Sequence, residues 1–177
     1  MADECHRPRV AVSSCLLGEP VRYDGAHKRS ECVADQLSAY FDWFSVCPEV
    51  GIGMGVPRPP IRLVKLEAGI RVCGVEEASR DVTLPLQTYA RQLSARLAGV
   101  SGYVFKSRSP SCGLIDVDLF DSGGRLVGQA EGIFSGMIHD LLPGLPLIDE
   151  IQLDDPALRE DFVRRVYACQ AMLRGRV

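Results

Sequence analysis

Apolar positions along the chain follow two periods. Residues 10–14 are short, β-branched and apolar, which predicts a buried strand. Residues 43–47 and 102–106 read the same way. Alternation at 61–67 and 70–73 across Ala68 and Gly69 predicts a hairpin, and 115–120 with 126–127 predicts another across the DSGG turn at 121–124. Helical spacing runs through Val33, Leu37, Tyr40 and Phe41, with Ser30 as N-cap of a helix over 31–40. It recurs at Leu86, Tyr89, Ala90, Leu93 and Leu97, where Thr83 is the expected cap and Gly99 the stop. A last helix follows Asp155 and Pro156, with Leu158, Phe162, Val166 and Cys169 on its apolar face. A short helix is expected over 136–142 and an edge strand over 146–148. Strands alternating with helices predict an α/β fold: a single doubly wound, mainly parallel sheet with peripheral hairpins. The expectation is one domain over 1–177, residues 1–9 being a polar tail.

Bulk composition narrows the function classes. The formal charge of −3 does not favour a nucleic-acid polymer as partner. No apolar run approaches a membrane span, and the start has no apolar export segment, so the expected location is the cytoplasm. The chain has seven cysteines and no Cys-x-x-Cys pair. That pattern disfavours a disulfide framework, a zinc ribbon and a thioredoxin-type pair. Any metal site must collect its ligands from distant parts of the chain.

Three cysteines stand apart by context. Cys15, Cys47 and Cys112 each follow a buried strand and open or close a loop containing Gly or Pro. Carboxyl ends of parallel strands are where open α/β sheets keep ligands. Three convergent thiols allow a catalytic zinc with water as fourth ligand, which His27 could complete, or an iron–sulfur cluster with one iron not held by the protein. Cys32, Cys73 and Cys169 read as small buried hydrophobes, and Cys5 as a tail thiol without a role.

Several stretches carry a resemblance: SSCLLG at 13–18, VRYDG at 21–25, CPE at 47–49, VPR at 56–58, SPSCG at 109–113 and EGIF at 131–134. Together they resemble a bacterial family, long a domain of unknown function, that contains the thiouracil desulfurases. The resemblance implies an α/β domain with a 4Fe–4S cluster held by Cys15, Cys47 and Cys112. Its fourth iron would be open to take sulfur from a substrate. The stretches 47–58 and 101–108 look closer to a subgroup often joined to a second, largely helical domain, which leaves the substrate open beyond thiouracil itself.

The chemistry expected of such a site is thiocarbonyl to carbonyl, with water adding to carbon and sulfide leaving. A soft, open iron prefers thiocarbonyl sulfur over oxygen or nitrogen. Glu49, two residues after Cys47, is the candidate general base and acid; its competing reading is a salt-bridge partner. Ser109 is the preferred hydroxyl beside Cys112. Ser111, Arg22, Asp24, Lys28 and Arg58 are candidates for holding a polar heterocycle. For the serines, turn-forming bonds to backbone compete; for the charged residues, surface ion pairs do. The expected enzyme is an iron–sulfur desulfurase acting on a small thiolated compound. The alternatives are a zinc hydrolase on the same thiols and a non-catalytic cluster protein for sulfur delivery or sensing.

Overall fold

The computed structural model describes residues 7–175; Cys5 and most of the expected tail lie outside them. The elements in chain order are β1 Arg9–Ser13, β2 Asp42–Val46, the single turn α1 Pro48–Gly51, β3 Ile61–Leu66, β4 Gly69–Gly74 and α2 Thr83–Leu97. Then come β5 Tyr103–Phe105, β6 Val117–Phe120, β7 Leu126–Ala130, α3 Ile133–Leu141, β8 Leu147–Asp149 and α4 Pro156–Arg174.

Strands β2-β1-β5-β8 form an all-parallel sheet, as the alternation of strand and helix predicts. Its two faces bury different side chains. Val10, Val12, Val104 and Ile148 pack under Phe41, Phe162 and Val166. Ala11, Tyr103 and Phe105 pack under Ala90, Leu93 and Leu97 of α2 and Phe134 and Ile138 of α3. A sheet covered on both faces needs such continuous apolar runs.

The hairpins differ from expectation. They do not flank the parallel sheet but join each other through a parallel β3–β6 pair, giving a second sheet ordered β4-β3-β6-β7. Leu63, Val72, Val117 and Leu119 of this sheet pack with Leu86 of α2. Alternation reveals a half-buried strand but not its neighbour, so the second sheet was invisible in the pattern.

Three helical expectations also change. Residues 31–40 form a π-helical turn, Cys32–Gln36, and a 3-10 turn, Leu37–Ala39, rather than one α-helix. Ser30 still caps, accepting the Val33 N–H at 3.3 Å, but Ser38 bonds back to the Ala34 carbonyl at 2.7 Å and also accepts the Trp43 indole N–H. Such local bonds compete with regular helix. The Thr83 hydroxyl does not cap α2. It accepts the Val72 N–H of β4 at 2.7 Å, and the Asp81 carboxylate caps instead, accepting the Thr83 N–H at 2.8 Å. On α4 the Asp155 cap and the buried Phe162 and Val166 appear as expected, whereas Leu158 is exposed and Cys169 half-buried.

Candidate functional site

The parallel sheet changes winding direction at β1, since β2 lies on one side and β5 and β8 on the other. A crevice opens at the carboxyl ends of strands at such a switch point. There the structure has a cleft of about 710 Å³ lined by Cys15, Cys47 and Cys112 together. Each thiol arrives on a different loop. Cys15 sits in a 3-10 turn directly after β1, closed by Gly18 with φ +97, a left-handed conformation that suits glycine. The Lys28 N–H bonds the Cys15 carbonyl at 3.0 Å and folds the long 15–29 loop back on itself. Cys47 stands at the end of β2, before Pro48 opens α1.

Cys112 ends a compact turn after β5. The Ser109 hydroxyl accepts the N–H of Ser111 at 3.3 Å and of Cys112 at 3.2 Å. The start of α3 grips this turn: Phe134 and Ser135 N–H groups bond the Ser111 carbonyl at 3.0 and 3.1 Å, and Gly132 N–H bonds the Gly113 carbonyl at 2.8 Å. These bonds begin α3 at Ile133, three residues before the expected 136. A Cβ on Gly132 would lie 2.7 Å from the Ser111 backbone. This gives the EGIF stretch a structural purpose.

Glu49 is held from both sides. Its Oε2 accepts the Arg58 Nε–H at 2.7 Å and its Oε1 accepts the Ser111 hydroxyl at 2.9 Å. Arg58 is almost wholly buried and also bonds the Gly55 carbonyl, while the Glu49 side chain is 13% exposed toward the cleft. Thus Glu49 is a salt-bridge partner and a cleft residue at once. Arg22, Lys28 and Ser109 also line the cleft. Ser111 does not; it is fully buried behind Glu49. Asp24 lies outside as well, exposed, with its carboxylate on the Ala26 N–H and 3.6 Å from Arg22. His27 is spent locally, accepting the Arg29 N–H, and does not line the cleft.

Sequence reasoning missed one feature of the cleft. Lys106, directly after β5, pairs with Glu150, directly after β8, and Ser107 bonds the same carboxylate through its N–H at 2.8 Å and its hydroxyl at 2.7 Å. The partners are separated by 44 residues. The available signal was position: both follow strands that end at the crevice.

Burial governs the thiols. It pushes Cys15 up to about 11, with the Lys106 ammonium partly opposing. It raises Cys47, and it raises Cys112 well above the usual range, with the nearby Cys47 adding to the effect and the Ser13 hydroxyl opposing it. The metal-free thiols are therefore neutral, and a metal must displace their protons to bind. Among the described residues, no three His, Cys, Asp or Glu side chains gather closely enough for one metal ion. Three thiols on one cleft are a soft donor set of the kind that takes an iron–sulfur cluster, each thiolate on a different iron, or zinc. Cys32, Cys73 and Cys169 do not line the cleft.

Known proteins resemble this chain in sequence and in fold. The family described as 2-thiouracil desulfurase matches residues 10–150. The uncharacterized protein YbbK of Bacillus subtilis (strain 168) is 30% identical over 159 residues, covering 82% of this chain and 98% of that protein. A solved structure, the 4Fe–4S-dependent thiouracil desulfidase TudS, superposes with a TM-score of 0.65 at 29% identity, covering 88% of this chain and 99% of that one. Among the described residues, no helix is long and apolar enough to cross a membrane.

Proposed function

The chain belongs to the 2-thiouracil desulfurase family, and from that premise we propose that it is an iron–sulfur desulfurase of small thiolated compounds, a thiolated pyrimidine being the leading substrate class. The observation that carries this reading is the meeting of the buried Cys15 and Cys112 and the half-buried Cys47 with Glu49 on one cleft. The net reaction is thiocarbonyl plus water to carbonyl plus hydrogen sulfide, which balances without an oxidant or reductant. Cys15, Cys47 and Cys112 would hold a 4Fe–4S cluster, which would supply a sulfur-seeking Lewis acid.

The side chains supply the rest. Glu49 takes the proton of the attacking water and returns it as the C–S bond breaks. Arg58 and Ser111 act through Glu49, fixing which way its carboxylate faces. Ser109 uses its lone pairs on two backbone N–H groups, so its own proton is free for a substrate oxygen or nitrogen. Arg22 and Lys28 orient the polar edge of the heterocycle at the cleft mouth. Asp24 acts at most through Arg22.

The test is iron and acid-labile sulfide per chain after anaerobic reconstitution, followed by sulfide release from 2-thiouracil and other thiolated pyrimidines. About four of each is expected for a cubane. Cys15→Ser, Cys47→Ser and Cys112→Ser should each lose the cluster, and Cys169→Ser should keep it. Glu49→Gln should keep four irons and lose roughly 10²- to 10⁴-fold in turnover. Zinc without iron would replace this reading with a hydrolase. A loaded cluster that releases no sulfide from any thiolated pyrimidine would point to sulfur delivery or sensing.

A further inference from the structure

Ser14 stands between the last residue of β1 and Cys15, and it lines the cleft. It is buried, 4% exposed. Its hydroxyl lies 2.6 Å from the hydroxyl of Ser45 on β2, and Ser45 in turn donates to the carboxylate of Glu19 in the 15–29 loop. Ser45 and Glu19 are exposed, so this chain of hydrogen bonds runs from the cleft wall to the surface.

The chemistry of the three groups fixes the direction of the chain. An ionised carboxylate has lone pairs and no proton, so it can only accept, and a serine hydroxyl has one proton to give. Ser45 gives its proton to Glu19, so the bond between the two serines must use the proton of Ser14. Ser14 therefore meets the cleft with lone pairs only, as a committed acceptor. Ser109 is the opposite case: its lone pairs take two backbone N–H groups and its proton is free. The cleft wall thus carries one hydroxyl set to accept and one set to donate.

We propose that Ser14 is a specificity-determining residue whose Oγ accepts a ring N–H of the thiolated heterocycle, with Ser45 and Glu19 as the positioning residues that hold it in that state. This rests on the desulfurase reading of the cleft and narrows its substrates to thiolated rings with a free N–H. An N-alkylated ring offers no donor, leaves the Ser14 lone pair without a partner and sets a methyl group against it.

The experiment uses anaerobically reconstituted wild type, Ser14→Ala, Glu19→Gln and Glu19→Lys, matched for iron content. Binding is measured by calorimetry with uracil, which keeps both ring N–H groups and has no sulfur to lose, and with 1,3-dimethyluracil, which lacks them. The KM for 2-thiouracil is read by sulfide release. Wild type should bind 1,3-dimethyluracil roughly tenfold more weakly than uracil. Ser14→Ala should weaken uracil and raise the KM by roughly tenfold, and leave 1,3-dimethyluracil unaffected. Glu19 is exposed at the far end of the chain, so its variants test the chain from outside the cleft. Glutamine can still accept through its carbonyl, and Glu19→Gln should stay within about threefold of wild type. Lysine can only donate. It turns the chain round, points the Ser14 proton into the cleft and should weaken uracil at least as far as Ser14→Ala does. A merely structural chain would affect uracil and 1,3-dimethyluracil alike and would not separate Glu19→Gln from Glu19→Lys. Either result, in enzyme that still releases sulfide, would overturn this inference alone. A loaded wild type that releases no sulfide and binds no uracil would overturn the desulfurase reading and this inference with it.

Discussion

Ser111 meets the cleft only through its hydrogen bond to Glu49. It is fully buried, and its bond to Glu49 Oε1 complements the Arg58 bond to Oε2. Replacing it by alanine leaves that oxygen without its buried donor, which costs about 1–3 kcal/mol. Ser111→Ala should therefore keep four irons per chain and lower kcat by roughly tenfold to a hundredfold, with KM nearly unchanged, as read by sulfide release. Arg58→Ala removes one member of a largely buried ion pair, side chains 4% and 13% exposed. It should cost about 3 kcal/mol of stability in urea unfolding. At this scale the sequence picked out Glu49, Arg58, Ser109 and Ser111 one by one. It could not join them, because hydrogen bonds between residues up to 62 positions apart depend on how loops meet.

The helices do their work through their ends. Gly132 lets the first turn of α3 close on the Ser111 carbonyl, so α3 holds the Cys112 turn in place. An added methyl there meets backbone rather than a flexible side-chain tip, so the turn must move. Gly132→Ala should fold with a loss of about 1–3 kcal/mol and bind fewer than four irons per chain. A variant that loads fully would show that α3 does not set the position of Cys112. Between α1 and α2 the close approach is to a side chain instead: a Cβ on Gly51 would lie 2.4 Å from the Tyr89 ring, which would have to move. Element existence was legible for α2 and α4, since long helices have strong periods, but not for the single turn α1, which reads as part of a Gly- and Pro-rich loop. Element ends were not: Thr83 has the residue type and position of a cap, yet a strand N–H claims its hydroxyl.

Across the whole molecule, folding places thiols where water is scarce, and this has a pH signature. In the metal-free protein Cys15 ionises at about 11, against an ordinary value of 9.0. Below about pH 9 both folded and unfolded chains hold this proton, and the contribution is constant. Between about 9 and 11 the unfolded chain has released it while the folded chain has not, so stability falls as pH rises. The full loss from this group is roughly 2–3 kcal/mol. Urea unfolding of reduced, metal-free protein across pH 8–11 should show this decline, and Cys15→Ala should flatten part of it. Iron loading should abolish the Cys15 part of the decline, because bound thiolates are already ionised. An identical decline in Cys15→Ala would show that other groups carry it.

The chain's own pattern determined the kind of fold and singled out the three thiols that meet on the cleft. Short β-branched runs can satisfy their backbone and bury both faces only as strands of a covered sheet, and the polar loops at their ends bring the next side chains to the surface. Cys15, Cys47 and Cys112 stand out from Cys32, Cys73 and Cys169 on that ground alone. Tertiary structure decided the second sheet, the two-sided grip on Glu49, the Lys106–Glu150 pair and the chain from Ser14 through Ser45 to Glu19. Each of these depends on which side chains meet across the fold, and a residue's own neighbours in sequence carry no record of that.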